Sequence, residues 1–130
     1  MPLQILVIDD AKTVRKIAMQ ALRPFACTVV EATNGFTGLF AMERAMPDLL
    51  LLDVEMPTMD GVELLTMMKS NEQLKDLPVI MLVSSTDHKN LPKITALGVQ
   101  AMVKKPFTEA ALVEAIRGVV KLKAIKPAAK

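Results

Sequence analysis

The chain has 130 residues, with 16 Lys and Arg against 14 Asp and Glu and a formal net charge of +2. This length predicts one domain with its own core, because single domains cluster at about 100–150 residues. The near balance of charge argues against a nucleic-acid-binding protein, which normally carries a basic stripe. The single cysteine excludes a disulfide within the chain and is typical of a reducing compartment.

Five short apolar runs predict five strands, at residues 3–8, 27–32, 48–53, 78–83 and 100–104. Their hydrophobicity is continuous rather than alternating, which is typical of parallel strands that are buried on both faces. Between and after these runs, apolar residues recur with a helical period. The predicted helices cover residues 13–22, 35–45, 60–70, 91–97 and 108–122.

The regular alternation of strand and helix predicts an α/β fold, a single doubly wound five-stranded parallel sheet with helices on both faces. We expect the flavodoxin-like strand order 2-1-3-4-5. The domain is expected to span residues 1–123, followed by a tail or linker stub at residues 124–130. Because no apolar run reaches the roughly 18 residues of a membrane-spanning helix and the first residues do not resemble a signal peptide, we expect a cytoplasmic protein without membrane contact.

Polar side chains follow the apolar runs where the predicted strands end. Asp9 and Asp10 follow the first strand, Asp53 ends the third, and Lys105 follows the fifth. In open α/β sheets the ligand site lies outside the carboxyl ends of the strands, and strands one and three are neighbours in the expected order. The three carboxylates would crowd one crevice, where a hard divalent cation such as Mg²⁺ relieves their repulsion. An acidic nucleophile, such a cation and a lysine together favour phosphoryl transfer.

Each of these residues also has an ordinary structural interpretation. Asp10 could cap the first helix, Asp53 could begin a turn, and Lys105 could be a solvated charge. The joint placement of these side chains at the carboxyl ends of strands favours a common site over these separate explanations.

Three motifs make the chain resemble the receiver domains of two-component response regulators, of the chemotaxis type. They are the acid pair Asp9 and Asp10, the stretch DVEMPTMDG at residues 53–61, and the run KPF at residues 105–107. The resemblance extends from residue 3 to about residue 122. It implies a phosphorylation-controlled signalling switch, which is not an enzyme beyond its own phosphorylation and dephosphorylation.

The resemblance implies a role for each matching residue. Asp53 would accept a phosphoryl group from a phosphohistidine on a sensor histidine kinase or a phosphotransfer protein. Asp10 would bind Mg²⁺ (or Mn²⁺) directly, and Asp9 would bind it through water. Asp53 and the backbone carbonyl of Glu55 would complete the protein ligands. Lys105 would pair with Asp53 and then with the phosphoryl oxygens, and the bond from Lys105 to the following proline would be cis.

Two positions depart from the family's pattern. The family places a Thr or Ser hydroxyl at the end of the fourth strand. An ungapped count from Asp53 to Lys105 puts Val83 there, whereas a slip of one residue puts Ser84 there. We favour Ser84, because a valine side chain cannot hydrogen-bond a phosphoryl oxygen. Met102 stands at the fifth-strand position that often holds Tyr or Phe in the family.

Three other functions fit the sequence less well. An aspartyl-phosphate phosphohydrolase of the haloacid-dehalogenase kind would need a second Asp where this chain has Glu55, and a cap insertion for which 130 residues leave little room. A flavin-binding module would need a phosphate loop and flanking aromatic rings, and the chain has no Trp or Tyr. A degenerate receiver that acts only by protein contact would not need the intact acidic set.

The resemblance also implies a downstream protein partner, which the sequence does not identify. Output in the family commonly uses the fourth helix, the fifth strand and the fifth helix. On this chain that surface would carry the basic side chains Lys89, Lys93, Lys104, Arg117 and Lys121. If it is a docking site rather than a solvated face, we expect an acidic protein partner and no direct contact with nucleic acid.

Overall fold

Five parallel strands form the centre of the fold in the computed structural model, which describes residues 3–125. The strands are β1 (Leu3–Ile8), β2 (Cys27–Ala32), β3 (Leu49–Asp53), β4 (Val79–Val83) and β5 (Ala101–Lys104). Their order in the sheet is β2-β1-β3-β4-β5, and each neighbouring pair runs parallel. The predicted fold class and strand order are confirmed.

In the described part of the chain, five α-helices cover the two faces of this sheet. They are α1 (Lys12–Leu22), α2 (Gly35–Arg44), α3 (Gly61–Lys69), α4 (Leu91–Leu97) and α5 (Glu109–Arg117), and a 3₁₀ helix (Ser85–Asn90) leads directly into α4. Helices α1 and α5 share one apolar core with the sheet, and α2, α3 and α4 share the other. No helix within residues 3–125 is long and apolar enough to cross a membrane.

The two central strands explain why the apolar runs are continuous. Every residue of β3 and β4 is buried. Along β3, Leu50 and Leu52 belong to the core beneath α2, α3 and α4, whereas Leu49 and Leu51 belong to the core beneath α1 and α5. Because successive side chains of a strand point to opposite faces, a strand covered on both faces needs apolar residues at every position.

Helix α5 is shorter than its sequence pattern predicts. It begins as expected, with the Thr108 hydroxyl accepting a hydrogen bond from the amide of Ala111 at 3.0 Å, but it ends at Arg117 rather than at residue 122. Gly118 follows, and glycine is a poor helix former. The apolar Val119 and Val120 that extended the predicted helix pack against the core from a turn.

The segment after α5 returns to the loop between α1 and β2. The Ala26 amide donates to the carbonyl of Lys123 at 2.7 Å, and the Ile125 amide donates to the carbonyl of Pro24 at 2.8 Å. Residues 124 and 125 of the expected tail therefore hydrogen-bond or pair with the domain. Residues 126–130 lie outside the described residues.

Candidate functional site

The sheet brings the three predicted carboxylates together. Ile8 pairs with Leu52 in the parallel ladder between β1 and β3, so the next residues, Asp9 just past β1 and Asp53 at the end of β3, lie side by side. One carboxylate oxygen from each of Asp9, Asp10 and Asp53 lies within 4.8 Å of the others. The acidic crevice that the strand ends predicted is present at the carboxyl edge of the sheet.

Lys105 reaches into this crevice from the end of β5. Its Nζ lies 2.7 Å from Asp53 Oδ1 and 2.8 Å from Asp9 Oδ2. Its own backbone amide donates to the carbonyl of Val83 at 2.7 Å, and its bond to Pro106 is cis, as predicted. With only 18% of its side chain exposed, Lys105 is an ion-pair partner and not a solvated charge.

Burial dominates the electrostatics of the crevice. Asp9 is fully buried and Asp53 is 5% exposed, whereas Asp10 is exposed. The pKa of Asp53 is raised to about 7, chiefly by burial and also by the neighbouring charge of Asp9, although the hydrogen bond and the charge of Lys105 act to lower it. Burial lowers the pKa of Lys105, but its hydrogen bond to Asp53 and its attraction to the Asp9 carboxylate outweigh this effect and leave that pKa raised. One ammonium group therefore does not balance the negative charge of the site.

The residues around Asp9 hold its carboxylate in place. Asp9 Oδ1 accepts from the amide of Ala11 at 2.8 Å, and the Asp9 carbonyl accepts from Arg15 Nη1 at 2.7 Å. Arg15 Nε in turn donates to Glu31 Oε1 at 2.9 Å. The Asp10 side chain does not cap α1, whose N-cap is Ala11, so this structural interpretation of Asp10 is wrong.

A hard divalent cation fits this donor set. Asp9 Oδ2 is buried and has no well-aligned hydrogen-bond donor among residues 3–125; Lys105 is close but makes an ion pair without hydrogen-bond geometry. Lys105 supplies one positive charge to a site with three carboxylates, so a further positive ligand would offset the remaining negative charge. The carboxylate oxygens of Asp9, Asp10 and Asp53 form the all-oxygen, anionic set that suits Mg²⁺ or Mn²⁺.

The loop after β3 is shaped by the DG pair of the DVEMPTMDG motif. Asp60 and Glu63 form a capping box, with Asp60 Oδ1 accepting from the Glu63 amide at 2.8 Å and Glu63 Oε1 accepting from the Asp60 amide at 3.0 Å. The Gly61 amide donates to the carbonyl of Val54 at 2.7 Å. A Cβ on Gly61 would lie 1.9 Å from the carbonyl oxygen of Asp53, so only glycine lets α3 begin this close to the acceptor.

Thr58 in the same loop has an unusual backbone that the sequence did not predict. Its φ is +73°, and the amide of Met59 donates to the carbonyl of Pro57 at 2.8 Å. This is a γ-turn centred on a β-branched residue, and such residues rarely adopt positive φ. The residue type therefore gave no signal for this turn.

The two candidates for the switch hydroxyl position lie in different environments. Val83 is the last residue of β4, pairs with Lys104 and is 8% exposed. Ser84 follows the strand, and its Oγ lies 3.0 Å from Asp87 Oδ2 and 3.0 Å from Thr86 Oγ1. Ser84 and Lys105 line the same cavity, which has a volume of about 430 Å³.

Asp87 is a second feature that the sequence did not predict. The polar stretch at residues 85–90 lies between the predicted fourth strand and fourth helix, yet it forms the 3₁₀ helix and buries Asp87 to 1% exposure. The side chain of Glu55, by contrast, is exposed, and its Oε1 lies 3.5 Å from Thr86 Oγ1. The resemblance assigns the backbone carbonyl of Glu55, and not this side chain, to the metal.

Comparisons with known proteins agree with this geometry. The response regulator receiver domain family matches residues 5–117. Protein PilG of Pseudomonas aeruginosa is 34% identical over 115 residues, which cover 88% of this chain and 85% of PilG. Sensor histidine kinase CheAY of Helicobacter pylori is 32% identical over 120 residues, which cover 91% of this chain but 15% of the kinase.

A solved structure shows the same fold. The chemotaxis response regulator CheY4 of Vibrio cholerae superposes with a TM-score of 0.84 at 26% identity, covering 92% of this chain and all of that one (100%). The family match and this superposition agree with the acidic crevice and with the lysine at the end of β5. The chain therefore belongs to the family of response regulator receiver domains.

Proposed function

We propose that the chain is switched by phosphorylation of Asp53, with a phosphohistidine of a sensor histidine kinase or a phosphotransfer protein as the donor. One observation carries the proposal. The Asp53 carboxylate is buried at the carboxyl edge of the sheet, 2.7 Å from Lys105 Nζ and within 4.8 Å of oxygens of Asp9 and Asp10. Asp9 shares the burial and the lysine contact, but Asp53 is itself the last residue of the middle strand of the sheet and begins the DVEMPTMDG motif.

The transfer step requires little from the protein beyond position and charge. A carboxylate oxygen of Asp53 forms a bond to phosphorus while the bond from phosphorus to the donor's imidazole nitrogen breaks, and that nitrogen keeps the electron pair. The product is an acyl phosphate on Asp53. Lys105, already at hydrogen-bond distance, follows the negative charge from the carboxylate to the phosphoryl oxygens.

The metal ligands in this proposal are Asp9, Asp10, Asp53 and the backbone carbonyl of Glu55. Bound Mg²⁺ (or Mn²⁺) supplies positive charge that offsets the charge on the phosphoryl oxygens. The closeness of one Asp9 carboxylate oxygen to oxygens of Asp10 and Asp53, all within 4.8 Å of one another, supports the inclusion of Asp9 in this set. Arg15 and Ala11 hold Asp9 through its carbonyl and its second carboxylate oxygen.

Ser84 is the residue that we assign to sense the phosphoryl group. Ser84 lines the same cavity as Lys105 and has a hydroxyl, whereas the Val83 side chain has no group that could donate to an oxygen. Movement of Ser84 toward the new phosphoryl group would reshape the 3₁₀ helix that leads into α4. The output is then a population shift between two arrangements of this loop.

The proposed partners are a histidine kinase upstream and an acidic protein downstream. The CheAY relative, whose name describes a sensor histidine kinase, supports the upstream assignment. Lys89, Lys93 and Lys104 are exposed near α4 and β5, as docking requires. Arg117 instead places its guanidinium 5.4 Å from the centre of the Phe25 ring, and this contact turns it toward the loop between α1 and β2.

Labelling with a small phosphodonor tests the acceptor. The parent chain, incubated with acetyl phosphate and Mg²⁺, should gain one phosphoryl group that hydroxylamine removes. Asp53→Asn should gain none, while the matched control Asp76→Asn, which changes an exposed aspartate after α3, should label like the parent. Labelling of Asp53→Asn to the parent level would contradict the proposal and favour a receiver that acts by binding alone.

A further inference from the structure

The loop after β4 holds a buried carboxylate that the proposed chemistry does not use. Asp87 lies in the 3₁₀ helix and is 1% exposed. An ionised carboxylate is rarely buried unless hydrogen bonds or an opposite charge compensate for its loss of water. The groups that compensate Asp87 therefore indicate what the residue does.

Both hydrogen bonds to Asp87 come from one residue, Ser84. Asp87 Oδ2 accepts from the Ser84 amide at 2.7 Å and from Ser84 Oγ at 3.0 Å. Asp87 Oδ1 is buried and has no partner among residues 3–125. The position of Ser84 is consequently fixed by a charged acceptor, and hydrogen bonds to charged groups are stronger than neutral ones.

A serine hydroxyl has a single proton to donate. While that proton points at Asp87, Ser84 cannot donate to an oxygen of a phosphoryl group on Asp53. The amide bond from Ser84 to Asp87 uses the backbone and does not depend on the hydroxyl. The hydroxyl can therefore rotate away while the turn of the 3₁₀ helix stays capped.

We propose that Asp87 is a positioning residue that holds the Ser84 hydroxyl in the unphosphorylated form, so that a phosphoryl group on Asp53 must compete with Asp87 for the Ser84 proton. The proposal rests on the proposed function of Asp53 and Ser84. The hydrogen bond from the Ser84 hydroxyl to Asp87 opposes movement of Ser84 toward the phosphoryl group. Its strength therefore sets how far phosphorylation shifts the loop.

The weaker acceptor of an Asp87→Asn variant should favour the phosphorylated arrangement. Asparagine is also a good capping residue and can still accept from the Ser84 amide, so the turn is preserved. Its neutral carbonyl holds the hydroxyl less strongly than a carboxylate does. Loss of about 1–2 kcal/mol from this contact corresponds to a gain of roughly five- to thirtyfold in affinity for a phosphoryl group.

The test measures the affinity of beryllium fluoride, a tetrahedral phosphoryl mimic, for the full chain in Mg²⁺ by NMR titration. Four proteins form a double-mutant cycle: the parent, Asp87→Asn, Ser84→Ala and the double variant. We expect roughly five- to thirtyfold tighter binding for Asp87→Asn than for the parent. In the Ser84→Ala background the same change should have less than about a twofold effect, because no hydroxyl remains to be released.

Two outcomes would overturn the proposal. Equal effects of Asp87→Asn in both backgrounds would mean that its charge acts through space, and an unchanged affinity in the parent background would mean that Asp87 does not hold Ser84. If Asp87→Asn does not fold, Asp87→Ser provides another short neutral acceptor for the same cycle. Acetyl phosphate labelling of Asp53 in all four proteins separates the two proposals. If Asp53 labels normally but Asp87→Asn does not change the affinity for beryllium fluoride, only the role of Asp87 is rejected. If Asp53 does not label, the proposed function is rejected.

Discussion

Asp10 differs from the other two carboxylates of the crevice because it is exposed, whereas Asp9 and Asp53 are buried against Lys105. We predict that Asp10→Asn weakens Mg²⁺ binding roughly tenfold or more, since oxygen sites depend on the charge of their ligands. Glu55→Gln is the matched control and should leave Mg²⁺ affinity unchanged, because only its backbone is assigned to the metal. The chain has no Trp or Tyr, so NMR or calorimetric titration is the measurement. Equal Mg²⁺ affinities for Asp10→Asn and the parent would remove Asp10 from the ligand set.

Thr58 stores backbone strain in the loop between β3 and α3. Its φ of +73° is unfavourable for a β-branched residue. We predict that Thr58→Gly raises the free energy of unfolding by about 1 kcal/mol, because relief of strain outweighs the added entropy of the unfolded chain. Thr95→Gly, in the middle of α4, should lower it instead, since glycine weakens a helix. Denaturant titration, monitored by circular dichroism, gives the free energy of unfolding of the parent and of both variants. A lower value for Thr58→Gly than for the parent would show that Thr58 does not store backbone strain.

At the scale of elements, the start of α3 depends on the absence of a side chain at Gly61. We predict that Gly61→Ala lowers the free energy of unfolding by roughly 2 kcal/mol or more, because its Cβ would meet the Asp53 carbonyl oxygen, a backbone atom that cannot move aside. Gly118→Ala is the control. The nearest atom to its added Cβ is the Ala115 carbonyl oxygen at 3.4 Å, so it should be neutral or slightly stabilising. Similar stabilities for both variants would show that α3 does not need this close approach.

The sequence predicted well those elements whose structure follows from the local pattern of apolar residues. Strands β3 and β4 are apolar at every position except Asp53, and burial on both faces follows directly from that pattern. The end of α5 was misjudged because Val119 and Val120 keep a helical period while packing from a turn. The 3₁₀ helix at residues 85–90 was not predicted because its polar composition resembles a loop.

The site was predictable to the extent that strand ends determine it. The order of the sheet places Asp9 and Asp53 side by side, and the sequence is sufficient to predict that order. The burial of Asp87 was not predictable, because it depends on one hydroxyl and one amide of Ser84 turning back onto it. The backbone of Thr58 escaped prediction for the same reason, since tertiary context overrides the preference of its residue type.

At the scale of the whole molecule, the raised pKa of Asp53 makes stability depend on pH. In the folded chain this pKa is about 7, against an ordinary value of 3.8. Between these values the folded chain retains a proton that the unfolded chain has lost, so the free energy of unfolding falls as pH rises from about 4 to about 7. Above that window the loss is complete.

Asp53→Asn should abolish this dependence in metal-free buffer. We predict that the variant becomes more stable than the parent by about 1–3 kcal/mol above pH 7, and that the difference shrinks toward zero as the pH approaches 4. Addition of Mg²⁺ should reduce the difference, because a cation compensates the buried charge of the parent. If the free energies of unfolding of the parent and of Asp53→Asn differ by the same amount at every pH in this range, that result would contradict the burial of an ionisable Asp53.

Peptide mapping of the phosphorylated parent chain tests the central claim most directly. Borohydride reduces an acyl phosphate to an alcohol, so an aspartyl phosphate becomes homoserine, which mass spectrometry locates in the unmodified sequence. After treatment with acetyl phosphate and Mg²⁺, homoserine should appear at position 53 alone. Homoserine at position 9 or 10, or at none of the three, would contradict the assignment of Asp53 as the acceptor.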